Sequence, residues 1–178
     1  MKRITLATLT AFCFFLVSCN NSSDTGGNSS MGGTDSTAEK YKQANRDVLK
    51  GIETGDSTKF AAIADDAVDH AGPMGDVKGG DSIKHFLKDM HNQISNLKID
   101  IHGEAVDGDY LYVWSTMSGT ANANNTMMLP PGKSFSWKGV DVLKFNKDGK
   151  AVEHWGYMDP RDMMSMGSQP PMDTTKKK

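Results

Sequence analysis

The chain has 178 residues, with 20 basic side chains against 22 acidic ones and a formal net charge of −2. Such a balance offers no basic face for nucleic acid. Two cysteines are too few for a disulfide framework, so the fold must rest on its apolar core.

Lys2 and Arg3 precede "ITLATLTAFCFFLV", an apolar run of fourteen residues. The run is short for a membrane span and suits the core of a signal peptide. It ends in "LVSC", which resembles a bacterial lipobox, with Ser18 just before Cys19. The resemblance implies cleavage before Cys19 and lipidation of the new N-terminus. It also implies export to the bacterial cell envelope, at the outer membrane, with the lipid as the sole membrane attachment. Cys13 leaves with the signal and Cys19 carries lipid, so no thiol is left for zinc or for nucleophilic chemistry. Residues 1–18 are thus expected to be signal, and 19–37, rich in Gly, Ser and Asn, a flexible tether. Residues 38–160 form one domain, and 161–178 a disordered Met/Pro/Lys tail.

Within the domain, "STAEKYKQANRDVLKGIETGD" predicts a helix. Ser36 and Glu39 fit a capping box, Tyr41, Ala44, Val48 and Ile52 share a stripe, and Gly55 follows the end. "STKFAAIA" predicts a second, shorter helix capped by Asp56 or Ser57. "AVDHA" is a short extended piece, and "GPMGDVKGG" a loop. A third helix, capped by Asp81, carries Ile83, Phe86, Leu87, Met90 and Ile94 on one stripe. His85 and His91 lie off that stripe, six residues apart, and read as solvated surface histidines rather than metal ligands.

The period then changes to two. "LKIDIHGEAV" places Leu97, Ile99 and Ile101 inward, and "DGD" at 107–109 is a hairpin turn. "YLYVWSTMSGT" is the next strand, followed by the loop "NANNTMMLPPG". "SWKGVDVLKF", a "KDG" turn and "AVEHWGYM" complete four antiparallel strands. The class is α+β, three N-terminal helices on a curved sheet of four main strands. The strand at 136–145 puts Trp137, Gly139, Asp141, Leu143 and Phe145 on one face. A carboxylate among such neighbours needs a partner or a proton. His154 and Trp155 alternate, and the larger apolar Trp155 is expected to point inward. Tyr110, Tyr112 and Trp114 form an aromatic stripe opposite Leu111, Val113 and Met117.

The motifs "DHAGP", "LPPGK", "WKGVDVLKF" and "DGKAVEHW", in this order, resemble the SnoaL-like polyketide cyclase family of the nuclear transport factor 2-like superfamily. The resemblance covers about 120 residues. It implies a cone of curved strands closed by helices around a mostly apolar pocket. It also implies an acid/base role for Asp141, with His70 assisting. Pocket walls at Trp137, Leu143, Trp155 and Tyr157 complete the expected site, and the aromatic stripe is a dimer face. A departure stands at "GTANA", where many cyclases read "GTHTG" and Ala121 replaces a histidine. The leading expectation is an anchored domain that binds a small, largely apolar molecule. The alternatives are a cyclase, isomerase or dehydratase using Asp141, and a protein-interaction module forming a homodimer. No cofactor and no metal are expected: the methionines near the C-terminus are soft Cu(I) ligands in type, but no repeat or histidine accompanies them.

Overall fold

The computed structural model describes residues 31–72, 75–125 and 129–162. The signal segment, Cys19, most of the expected tether and the tail beyond residue 162 lie outside the described residues. In chain order the elements are helix α1 (Met31–Thr54), a 3-10 turn (Ser57–Ala62), strands β1 (Ile63–Asp69) and β2 (Val77–Lys78), and helix α2 (Gly80–Gln93). Strands β3 (Ile94–Asp107), β4 (Tyr110–Ala121), β5 (Ser134–Phe145) and β6 (Ala151–Met158) follow. They make one six-stranded sheet in the order β2-β1-β6-β5-β4-β3. β1 runs parallel to β6 and every other pair is antiparallel.

The class is α+β, a curved mixed sheet with helices on one face. Two details of the expected architecture are corrected. The second of the three expected helices is a 3-10 turn, because the core takes Ile63 and Ala64 as the start of a strand. Asp56 caps it, its side chain accepting from the Thr58 N–H at 3.1 Å. The expected extended piece "AVDHA" belongs to a longer strand, β1, whose parallel pairing makes the sheet mixed. Helix ends differ too. α1 begins at Met31, so Ser36 is inside it rather than its cap. α2 is preceded by Gly79 at φ 87, with Asp81 in its first turn, where a carboxylate suits the helix dipole. Ile94 fits both the helical stripe and the strand alternation; it opens β3 and is buried.

The core has two parts. Ile52, Phe60, Ile63, Ala64, Ala67 and Ile83 tie both helices to β1. α1 passes so close to the 3-10 turn that a Cβ at Gly51 would stand 2.7 Å from the Phe60 ring and 2.8 Å from the Asp56 carbonyl oxygen. Tyr41, Leu111, Val113 and Phe145 join α1 to the sheet, with Tyr41 stacked on Phe145 at 4.3 Å between centroids. Leu111 and Val113 are fully buried, so their face of β4 is the inner one. Tyr112 and Trp114 stand on the outer face, beside Val140 and Tyr157 of the neighbouring strands. Among the described residues, no helix is long and apolar enough to cross a membrane.

Candidate functional site

The inner face of β5 carries Trp137, Asp141, Leu143 and Phe145 along one wall of a cavity of about 400 Å³. α1 supplies Val48 and Ile52 to the opposite wall, and α2 supplies Phe86 and Met90. Residues of both core clusters border this space, which is lined mainly by aliphatic and thioether groups.

Asp141 does not stand alone there. β6 runs antiparallel to β5 and parallel to β1, and its residue 154 is the register partner of both Leu143 and Asp69. His154 therefore lies between two carboxylates. Its Nδ1 is 2.9 Å from Asp69 Oδ1, and its Nε2 is 3.4 Å from Asp141 Oδ1. Asp69 Oδ1 also accepts the Ala71 N–H at 2.8 Å. The Asp69 side chain is 5% exposed, whereas those of His154 and Asp141 are about one-third exposed.

Electrostatics follow from this order. Burial by itself lowers the basicity of His154, but the hydrogen bonds and charges of Asp141 and Asp69 outweigh it and raise its pKa from 6.5 to about 9. Burial likewise pushes Asp69 upward, and the bond and charge of His154 overcome it, with a net shift below the usual carboxylate range. At neutral pH His154 is therefore an imidazolium, paired with the ionised Asp69. The second oxygen of Asp141 has no protein partner among the described residues, so it can accept from a bound polar group or exchange a proton with it. Among those residues no three His, Cys, Asp or Glu side chains gather as metal ligands.

The expected site residues fall in different places. Trp137, Asp141 and Leu143 line the cavity. Trp155 and Tyr157 do not, and the expectation that they form its wall is corrected. They pair with Val142 and Val140 and face outward, and Tyr157 is 62% exposed. Strand alternation allowed either face of β6 inward; with His154 inside, its ring meets both Asp69 and Asp141. His70 is not among the cavity-lining residues. Its ring stacks on Trp155 at 5.0 Å, with Nδ1 3.1 Å from Asp76 and Nε2 3.5 Å from Glu153. His85 is exposed and meets Asp89, but His91 corrects the surface reading: its Nδ1 lies 2.9 Å from the Ile52 carbonyl, tying α2 to α1. The residue that sequence reasoning missed is Asp69. It is buried in line with Ala67 on β1, but the exposed pair Asp65 and Asp66 breaks the alternation of that strand.

The model of the SnoaL-like domain family matches residues 46–154, more than half of the chain. No curated protein sequence matches. Among solved structures, TsrD from Streptomyces laurentii superposes with a TM-score of 0.62 at 18% identity, over 72% of this chain and 94% of that one. An LEH-like epoxide hydrolase from M. tuberculosis gives 0.58 at 19% identity, over 72% and 89%. AclR from Streptomyces galilaeus gives 0.60 at 21% identity, over 75% and 99%. At these identities the superpositions establish the fold alone.

Proposed function

We propose that this chain, which belongs to the SnoaL-like domain family, takes a small, largely apolar molecule into its cone and holds a polar group of it against Asp141. One observation carries the reading: an apolar cavity of about 400 Å³ with a charged chain, Asp69–His154–Asp141, at one wall. A ligand bearing one polar group satisfies both the apolar walls and the free oxygen of Asp141. Native mass spectrometry of the purified chain tests this. A discrete co-purifying compound, lost on mild denaturation, is expected; an empty protein that also binds nothing from an apolar compound panel counts against the reading.

The same geometry favours a second reading, an enzyme of the cyclase, isomerase or dehydratase type. Asp141 is then the acid/base that touches the ligand, and His154, rather than His70, is the group that orients it. Asp69 fixes His154 in turn.

Two further parts of the proposal concern place and partners. Cys19 is the lipidation site, and the protein is exported and held at the outer membrane of a bacterial envelope by that lipid. Cys19→Ser is expected to move the protein from the membrane pellet to the soluble envelope fraction; retention in the pellet would sink the anchor. The outer sheet face, with Trp114 at 53% exposure beside Tyr112, Val140 and Tyr157, joins a second copy of the chain. Sedimentation velocity is expected to show a wild-type dimer and a Trp114→Asp monomer, and a wild-type monomer at high concentration would refute the interface.

A further inference from the structure

The apolar stripe of α1 is interrupted once. Tyr41, Ala44, Val48, Leu49 and Ile52 face the core, and Asn45 stands among them. It is only 5% exposed and borders the cavity. Its Nδ2 is shielded from solvent and has no hydrogen-bond partner among the described residues. A buried amide donor left unanswered is a standing cost that Leu at the same place would avoid.

Among the described residues two acceptors are in a similar state, Glu104 Oε1 and Asn125 Oδ1, but neither is bonded to Asn45 and Asn125 does not line the cavity. Glu104 is instead engaged through its other oxygen by Arg46 and is not a cavity-lining residue. The cavity is therefore the side from which an answer to Asn45 can come.

The wall matters as well. Asn45 comes from α1 and Asp141 from β5, so the amide and the carboxylate face one apolar space from its helix side and its sheet side.

We infer that Asn45 is a second polar anchor of the cavity, its amide taking the carbonyl or hydroxyl oxygen of an otherwise apolar ligand. The inference rests on the binding reading above and narrows it. The ligand class is a small hydrophobic molecule with an oxygen acceptor placed apart from the group that meets Asp141. A hydroxyl can serve either orientation of the amide, and a ketone only the N–H.

Matched pairs separate this from simple cavity filling. Aryl methyl ketones of one to three fused rings and their isopropenyl counterparts differ chiefly by an oxygen in place of a methylene. Isothermal titration calorimetry on the full chain, freed of co-purified compounds, would compare wild type with Asn45→Leu. Wild type is expected to bind the better-fitting ketone about tenfold more tightly than its hydrocarbon partner. Asn45→Leu is expected to lose that preference, bind the hydrocarbon at least as well, and melt at a higher temperature without ligand. Equal binding of ketone and hydrocarbon by wild type, unchanged in Asn45→Leu, overturns the anchor and leaves the binding reading standing. A Leu variant that melts lower than wild type, or fails to fold, also overturns it, because the amide is then already answered within the protein. If wild type binds no member of any pair, the binding reading fails and the anchor with it.

Discussion

Replacing His154 with Leu is expected to lower stability by about 3 kcal/mol near neutral pH, because it strands the buried carboxylate of Asp69. The figure is at the low end for a broken buried pair, since His154 is itself about one-third exposed and solvent screens part of its field. The pH dependence is more diagnostic than the size. The folded-state pKa of His154 is raised to about 9. Its stabilisation is therefore fully present below its unfolded value of about 6.5 and is lost as pH rises from there through about 9, by at most about 1.4 kcal/mol per unit. Asp69 is shifted down, so its contribution holds above the ordinary carboxylate value and is lost as pH falls through the folded value. The Leu variant is expected to lose the alkaline slope. Its acid limb should reverse in sign, because burial, now unopposed by His154, disfavours the charge on Asp69. Denaturant titrations at a series of pH values read both limbs. An alkaline slope that persists in the Leu variant would show that another group causes it.

The second large effect is on chemistry at Asp141. Under the catalytic reading, Asp141→Asn is expected to reduce proton transfer by about 10²- to 10⁴-fold while changing ligand affinity less than about tenfold, since Asn keeps the shape but cannot exchange the proton. Deuterium exchange at the carbon beside the carbonyl of a bound aryl methyl ketone, followed by nuclear magnetic resonance, gives a probe that needs no known substrate. Wild-type acceleration that vanishes in Asp141→Asn supports the reading. Binding without any wild-type acceleration leaves a carrier or receptor for the ligand and no acid/base role for Asp141. Stability distinguishes the two carboxylates of the centre. Asp141 is about one-third exposed and Asp69 is 5% exposed, so Asp69→Asn should cost the fold more than Asp141→Asn.

What the sequence revealed of the site was one wall. Alternation in "SWKGVDVLKF" put Trp137, Asp141 and Leu143 on one face because a strand admits only two faces and this one is apolar. In "AVEHWGYM" the same rule was ambiguous. Both faces carry a large group, and bulk favoured Trp155, whereas His154 is the one inside, its ring meeting carboxylates of two other strands. Asp69 stayed hidden because its partner is 85 residues away and the segment around it lacks a clean period, with exposed Asp65 and Asp66 side by side. The parallel pairing of β1 with β6 was equally out of reach, since no turn joins the two strands and only the fold puts them side by side. Asn45 falls on the stripe of Tyr41, Val48 and Ile52 by spacing alone, but that its amide is buried and unanswered follows only from the packing.

The parallel pairing of β1 with β6 also fixes an order in time. β3, β4, β5 and β6 follow one another in the chain and pair as neighbours, so they can zip up by successive short closures. β1 has no such route to the sheet. It must wait for β6, the last of the described strands to emerge during synthesis, and then close a loop of more than eighty residues. Until that moment Asp69 is a carboxylate without a counterion, kept in water. The charged wall of the cavity is thus among the last features of the domain to be made. In a folding experiment its energy belongs on the native side of the barrier, so the His154→Leu variant should unfold faster while refolding at nearly the wild-type rate.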